Sequence, residues 1–149
     1  MKNNDFSSSI SAKISAGDAI QKISNLPEWW GVTFSGNTGK QDDEFVIKMG
    51  EDAFFNFTVT ELTPGKRVVW QVNDCHMPWF RNKKEWAGTR LIFDVHENNG
   101  VTTVNFKHEG LTPDVECYKD CEKGWTHWIQ KSLFSYFTTG KGDFNKSGK

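Results

Sequence analysis

Two side chains of this 149-residue sequence have the chemistry of a proton-transfer pair. His108 follows Val104 and Phe106 at every second position, and Glu61 follows Phe57 and Val59 in the same way. Residues two apart on a strand share a face, so both should point inward with those apolar neighbours. A buried imidazole needs partners for both nitrogens, which suits His108 to anchor a ligand carbonyl or phenol. With Glu61 close by, the two could form a general acid–base pair. The competing reading is structural, a histidine satisfied by a backbone carbonyl or by Glu61. No catalytic residue is assigned on this pattern.

Three cysteines raise metal and redox chemistry next. Cys117 and Cys121 lie four apart on one helical face, and Cys75-His76 could approach them. Zinc sites need four converging ligands, commonly in C-x₂₋₄-C pairs, and a redox dithiol has the spacing C-x-x-C. Cys117 and Cys121 fall within the first spacing, but four converging ligands cannot be shown and the spacing is not C-x-x-C. The thiols therefore read as buried apolar groups, with no metal and no cofactor expected. Gly39-Lys40 and Gly140-Lys141-Gly142 lack the spacing of a phosphate loop and read as a loop and a helix end. Arg81-Asn82-Lys83-Lys84 is a short basic run beside Trp79, Phe80 and Trp86, either a solvated loop or a gate at a pocket mouth.

The aromatic content is the strongest signal: 12 Phe, 7 Trp and 2 Tyr make up 14% of the residues. Few such rings suffice to build a core or to line a wide pocket, since each buries roughly 150–250 Å². Phe57, Trp70, Phe93, Phe106, Trp125 and Ile129 are the candidate lining, with His108 and Glu61 as polar points among them. Each residue alone fits a filled core better than a ligand contact. As a set they describe a site for a flat apolar molecule. The net charge is −1, with 18 Lys+Arg against 19 Asp+Glu. That balance lacks the basic footprint of a nucleic-acid binder. Apolar runs of four or five residues exclude a membrane-spanning helix. The polar start MKNNDFSSSISAK has no apolar core of a secretory signal, and the cysteine number is odd, so a cytoplasmic protein is expected.

The elements that must carry these residues follow from periodicity. Phe6, Ile10 and Ile14 alternate with serines as a first strand, and Ala19, Ile20, Ile23 and Leu26 make a helical stripe ended by Pro27. Trp29-Trp30-Gly31 turns the chain into strands at about 32–35, 44–49, 53–62 and 67–72. A loop is expected from Asn73 to Lys84, then a hairpin of 89–97 and 101–108 joined at Asn98-Asn99-Gly100. Thr112 is a candidate cap, with Pro113 at the first position of a helix running from Val115 to Phe137. Along it Cys117, Cys121, Trp125, Ile129, Leu133 and Phe137 recur every four residues. One α+β domain is predicted over 1–149, with its core at 6–142 and a polar tail at 143–149. A single helix is too narrow for such a sheet, so bulky side chains must close the gap or a cavity remains.

Four stretches resemble one family. They are Thr60–Trp70, Glu85–Phe93 with its Gly88-Thr89 entry, Val104–Leu111 ending in His-x-Gly-Leu, and the last helix from Glu116 to Gly142. In order and spacing they resemble the SRPBCC or START-like superfamily, in the branch similar to the C-terminal domain of the Hsp90 ATPase activator (AHSA1-like). The resemblance implies a helix-grip fold, six or seven antiparallel strands curved around the C-terminal helix. It also implies a cavity for hydrophobic small molecules and, as a lesser alternative, a polyketide cyclase or hydrolase using His108 and Glu61. The partners it implies are such a ligand and, as an alternative, a chaperone or other protein. The chain lacks the extra domain of the full activator, which counts against an independent co-chaperone role. It is expected as a monomer or homodimer.

Overall fold

A computed structural model of the chain describes residues 5–30, 32–49, 52–78 and 80–143. Gly31, Trp79 and the tail from residue 144 onward, all named above, lie outside the described residues.

The chain forms an α+β helix-grip fold. Strand β1 (Phe6–Ala12) leads into helix α1 (Ala16–Ser24) and a 3₁₀ turn (Leu26–Glu28). Then come β2 (Thr33–Gly36), β3 (Glu44–Met49), β4 (Ala53–Thr63), β5 (Arg67–His76), β6 (Arg90–Asn98) and β7 (Val101–Glu109). All seven form one antiparallel sheet in the order β1-β7-β6-β5-β4-β3-β2, which leaves β1 and β2 as its edges. Alternation explains these strands. Ala53, Phe55, Phe57 and Val59 of β4 are buried while their neighbours are half-exposed, the mark of a sheet with one face on the core. The β6–β7 turn uses Asn99 at φ 55° and Gly100 at φ 81°. Positive φ at both central positions matches the right-handed twist of the strands, and Asn-Gly tolerates it best.

The C-terminal helix is continuous but changes winding. Helix α2 (Tyr118–Trp125) passes into a π-helical segment (Thr126–Leu133) and then into α3 (Phe134–Thr139). Its start differs from the expected one. Thr112 Oγ1 bonds Asp114 instead of capping a helix, and turns at Thr112 and Val115 delay the first helical residue to Tyr118. A remote group does the capping: Glu85 Oε2 and Oε1 accept from the backbone N–H groups of Glu116 (2.7 Å) and Cys117 (3.0 Å). The end agrees with the sequence reading of Gly140-Lys141-Gly142. A Cβ at Gly142 would stand 2.4 Å from the Glu28 carbonyl oxygen, so only glycine allows the chain to cross the 3₁₀ turn here. Ser132 fixes the crossing by accepting from the Asp143 N–H at 2.8 Å.

Helix and sheet enclose an aromatic core. Phe45 stacks on Phe57 at 4.9 Å, Trp70 meets Phe93 at 5.0 Å, Phe93 meets Phe106 at 5.0 Å, and Phe106 reaches Trp125 of α2 at 4.6 Å. These stacked, tilted and edge-on contacts suit the ring quadrupoles. Gln130, on the same helix, reaches β1, where its Nε2 donates to Ser8 Oγ and to the Ser9 carbonyl (2.9 Å). Among the described residues no helix is long and apolar enough to cross a membrane.

Candidate functional site

The rings fill the middle of the sheet–helix interface but not one end of it. There a cavity of about 260 Å³ remains. Phe55 of β4 and Met49 of β3 form its sheet side, and Trp30, following the 3₁₀ turn, closes one flank. Met77, Phe80 and Trp86 come from the loop between β5 and β6. Helix α2 and the π segment add Asp120, Cys121, Gly124, Trp125 and Trp128. The rings are set against each other: Trp86 stacks on Trp125 at 5.7 Å, Phe55 meets Trp86 at 4.7 Å, and Trp30 meets Trp125 at 5.0 Å.

Two carboxylates hold the loop to the helix. Glu85 of the loop caps the residues before α2, as described, and Glu116 returns the contact. Its two oxygens accept from the N–H groups of Arg81 (3.1 Å) and Asn82 (3.2 Å), which hold the Glu116 carboxyl below its ordinary range. The basic run itself turns back on the loop: Lys83 Nζ donates to the Phe80 carbonyl, and Lys84 Nζ to Asp74 and the Cys75 carbonyl. Its backbone, more than its charge, thus ties down the cavity's outer wall.

Behind Trp125 and Trp86 sits His108, fully buried. Trp125 Nε1–H donates to His108 Nδ1 at 3.1 Å, so Nδ1 carries no proton. The neutral ring then bears its hydrogen on Nε2 and donates to Thr89 Oγ1 at 2.9 Å, while Thr89 donates onward to the Trp86 carbonyl at 2.6 Å. Every hydrogen in this chain is used once. Burial pushes the imidazole pKa down to about 3, so it stays neutral at physiological pH.

The thiols complete the wall. Cys121 Sγ lies 2.6 Å from Cys117 Sγ and accepts from Trp86 Nε1–H at 3.3 Å. The Cys121 thiol donates to Cys117, which eases proton loss from Cys117 and makes it harder from Cys121. Cys75 is apart from this pair, donating to the Lys83 carbonyl, with its thiol pushed up by burial. Among the described residues no group of three or more His, Cys, Asp or Glu is placed to hold a metal ion.

Comparison with known proteins adds the family. The profile described as Activator of Hsp90 ATPase homolog 1-like protein matches residues 18–138. The chain belongs to this family. A solved structure of an Aha1 dimer from Colwellia psychrerythraea is 26% identical, with a TM-score of 0.75, 95% of this chain and 100% of that chain covered. Protein SSP2350 from Staphylococcus saprophyticus shares the fold at 13% identity and a TM-score of 0.69, covering 95% of this chain and 97% of that one. Protein MLL2253 from Mesorhizobium loti does so at 14% identity and a TM-score of 0.66, covering 84% and 92%. A search of curated proteins finds no match.

Against this Hsp90 activator-like fold the residues singled out in the sequence divide clearly. Trp125 lines the cavity. Phe57, Trp70, Phe93, Phe106 and Ile129 are buried in the packed core beside it, and Trp70 Nε1 has no hydrogen-bond partner among the rings around it. His108 faces Thr89 and Trp125, one layer behind the wall. Glu61 corrects the parity argument. The pairing with β5 shifts between Val59 and Glu61, so Thr60 is an extra residue and the side chains after it change face. Glu61 is consequently 45% exposed, ion-paired to Arg67 at 3.5 Å. The fold does not bring Glu61 and His108 together, and the acid–base pair is not formed.

Sequence reasoning passed over most of the cavity wall. A signal was available in Cys121, Gly124, Trp125 and Trp128, spaced i, i+3, i+4, i+7 on one helical face with a glycine in the middle. That face had no reason to carry glycine unless space was being kept there.

Proposed function

We propose that this Hsp90 activator-like chain binds a small hydrophobic or aromatic molecule in the cavity beside Trp125. One observation carries the reading: an apolar cavity of about 260 Å³, walled by indole and phenyl rings, persists at the end of an otherwise filled core. Its size is just below the usual range of small-molecule sites, roughly 300–1,000 Å³, and suits a small ligand. The odd number of cysteines, none in a disulfide, fits the reducing cytoplasm as its compartment.

Gly124 supplies the test. A Cβ built there meets no atom within 4 Å, so Gly124→Leu places a side chain in the cavity. The same change removes a helix-weakening glycine, worth about 1 kcal/mol, so the fold should not suffer. In a thermal-shift panel of flat polyketides, flavonoids, sterols and acyl lipids, a ligand at a hundred times its Kd should raise the Tm by about 5–10 °C. The rise should vanish in Gly124→Leu and persist in Gly124→Ala. A panel without any shift, or a shift equal in Gly124→Leu, overturns the reading.

A second reading, assembly with another copy, is supported by the Colwellia psychrerythraea structure, which is of an Aha1 dimer and is matched over its full length. Sedimentation velocity at micromolar concentration should then show twice the 17.1 kDa chain mass. A monomer throughout that range removes support for self-association.

A further inference from the structure

We propose that the cavity selects organic cations, molecules with an apolar or aromatic body and an ammonium group. The proposal rests on the reading that the cavity binds a small molecule, and it names the class.

What surrounds the space is electron-rich throughout. Trp30, Trp86, Trp125 and Trp128 present indole rings, and the negative face of an indole attracts an ammonium more strongly than that of any other side chain. Met49 and Met77 add polarizable thioethers. At the rim stands one carboxylate, Asp120, which is exposed to solvent. No Lys, Arg or His is among the described lining residues.

Several of the donors around the cavity are also engaged elsewhere. The Trp86 N–H is taken by Cys121, the Trp125 N–H by His108, and the Cys121 thiol by Cys117. His108, behind Trp125 and Trp86, accepts from Trp125 and is kept neutral by burial, and the Lys83 ammonium is turned onto the Phe80 carbonyl. A carboxylate or phosphate ligand would lose its water and find no free donor on these groups. A quaternary ammonium needs no hydrogen bond at all. Its methyl groups pack against rings while its charge is stabilised by them and by Asp120.

Three probes of matched size test this by calorimetry: 3-hydroxyphenyl-trimethylammonium, its uncharged isostere 3-tert-butylphenol, and 3-hydroxybenzoate. The cation should bind about tenfold tighter than the neutral isostere. The anion should bind weakest. Asp120→Asn should reduce the preference for the cation about twofold to fivefold, the range of a solvent-exposed ion pair, and leave 3-tert-butylphenol unaffected. A carboxylate also favours the first turn of α2, so the ligand-free Tm of Asp120→Asn is measured alongside, and an unchanged Tm assigns the loss to the ligand. Equal or tighter binding of 3-tert-butylphenol overturns the proposal but keeps the small-molecule reading. If none of the three binds, the proposal falls, and the small-molecule reading stands or falls on the thermal-shift panel.

Discussion

Acidification from pH 7 to pH 5 should lower the unfolding free energy by about 2 kcal/mol through His108 alone. In the fold its pKa is about 3, against an ordinary value of 6.5. Below pH 6.5 the unfolded chain therefore takes up a proton that the folded chain refuses. Stability from this source is complete above pH 6.5 and is lost as pH falls, at up to about 1.4 kcal/mol per unit, until the folded group itself titrates. The carboxyls of Asp74, Glu109, Asp114 and Glu116 are held below their ordinary 3.8 or 4.5 by their hydrogen bonds, so their share is lost only at lower pH. Urea unfolding at pH 7, 6 and 5 reads the slope. His108→Gln should be less stable than the parent at pH 7 yet nearly flat down to pH 5. A parent-like slope in that variant would show that another group is responsible.

Trp125→Ala should cost at least about 4 kcal/mol, a large share of the roughly 5–15 kcal/mol that holds a domain folded. Its ring touches Trp30, Trp86 and Phe106, so truncation removes a ring from a contiguous stack and opens the existing cavity inward. It also strips His108 Nδ1 of its donor, which adds the cost of an unpaired buried acceptor. Trp125→Phe separates these effects. It keeps a ring, loses the N–H, and should cost about 1–3 kcal/mol. Because Nδ1 is then free to accept a proton, the His108 pKa should rise and the acid slope become shallower. Denaturant midpoints for both variants check this. A loss below 1 kcal/mol in Trp125→Ala would mean that the ring is not part of the packed interior. For the same reason this variant is a poor control for ligand binding, and Gly124→Leu a better one.

The strands were legible because most are buried chiefly on one face, so the period of two largely survives in the sequence. Residues 68–70 of β5 and 91–93 of β6, buried on both faces, interrupt it. Turns such as Asn99-Gly100 announced themselves by residue type. Glu61 was misplaced because a bulge is a property of two strands. Nothing within β4 signals that Thr60 is skipped by β5. The helix start failed for a similar reason, since its cap is Glu85, 31 positions before Glu116. One clue was present but unread. An α-helix repeats every 3.6 residues, so a stripe recurring at four, from Cys117 to Phe137, should drift around it. It stays on the core because Thr126–Leu133 is wound more widely, with i→i+5 bonding, and four residues there fall short of a full turn. The cavity was the least legible part. Its wall mixes a loop, two strands and a helix face, and the space left between them depends on how tightly the neighbouring rings pack.

The order of the strands also bears on what the sheet can join. An open sheet ends in rows of unused N–H and C=O groups, and such rows recruit foreign strands. On one side, β2 is only four residues long and offers little to copy. On the other, β1 has seven residues and no charged side chain to repel a newcomer. Gln130 occupies the Ser9 carbonyl in the middle of that row, so an incoming strand must first displace a side chain of the C-terminal helix. Growth of the sheet by strand addition is thereby checked at its more vulnerable edge. Extending one sheet into the next through β1 would cost two copies of this chain that contact.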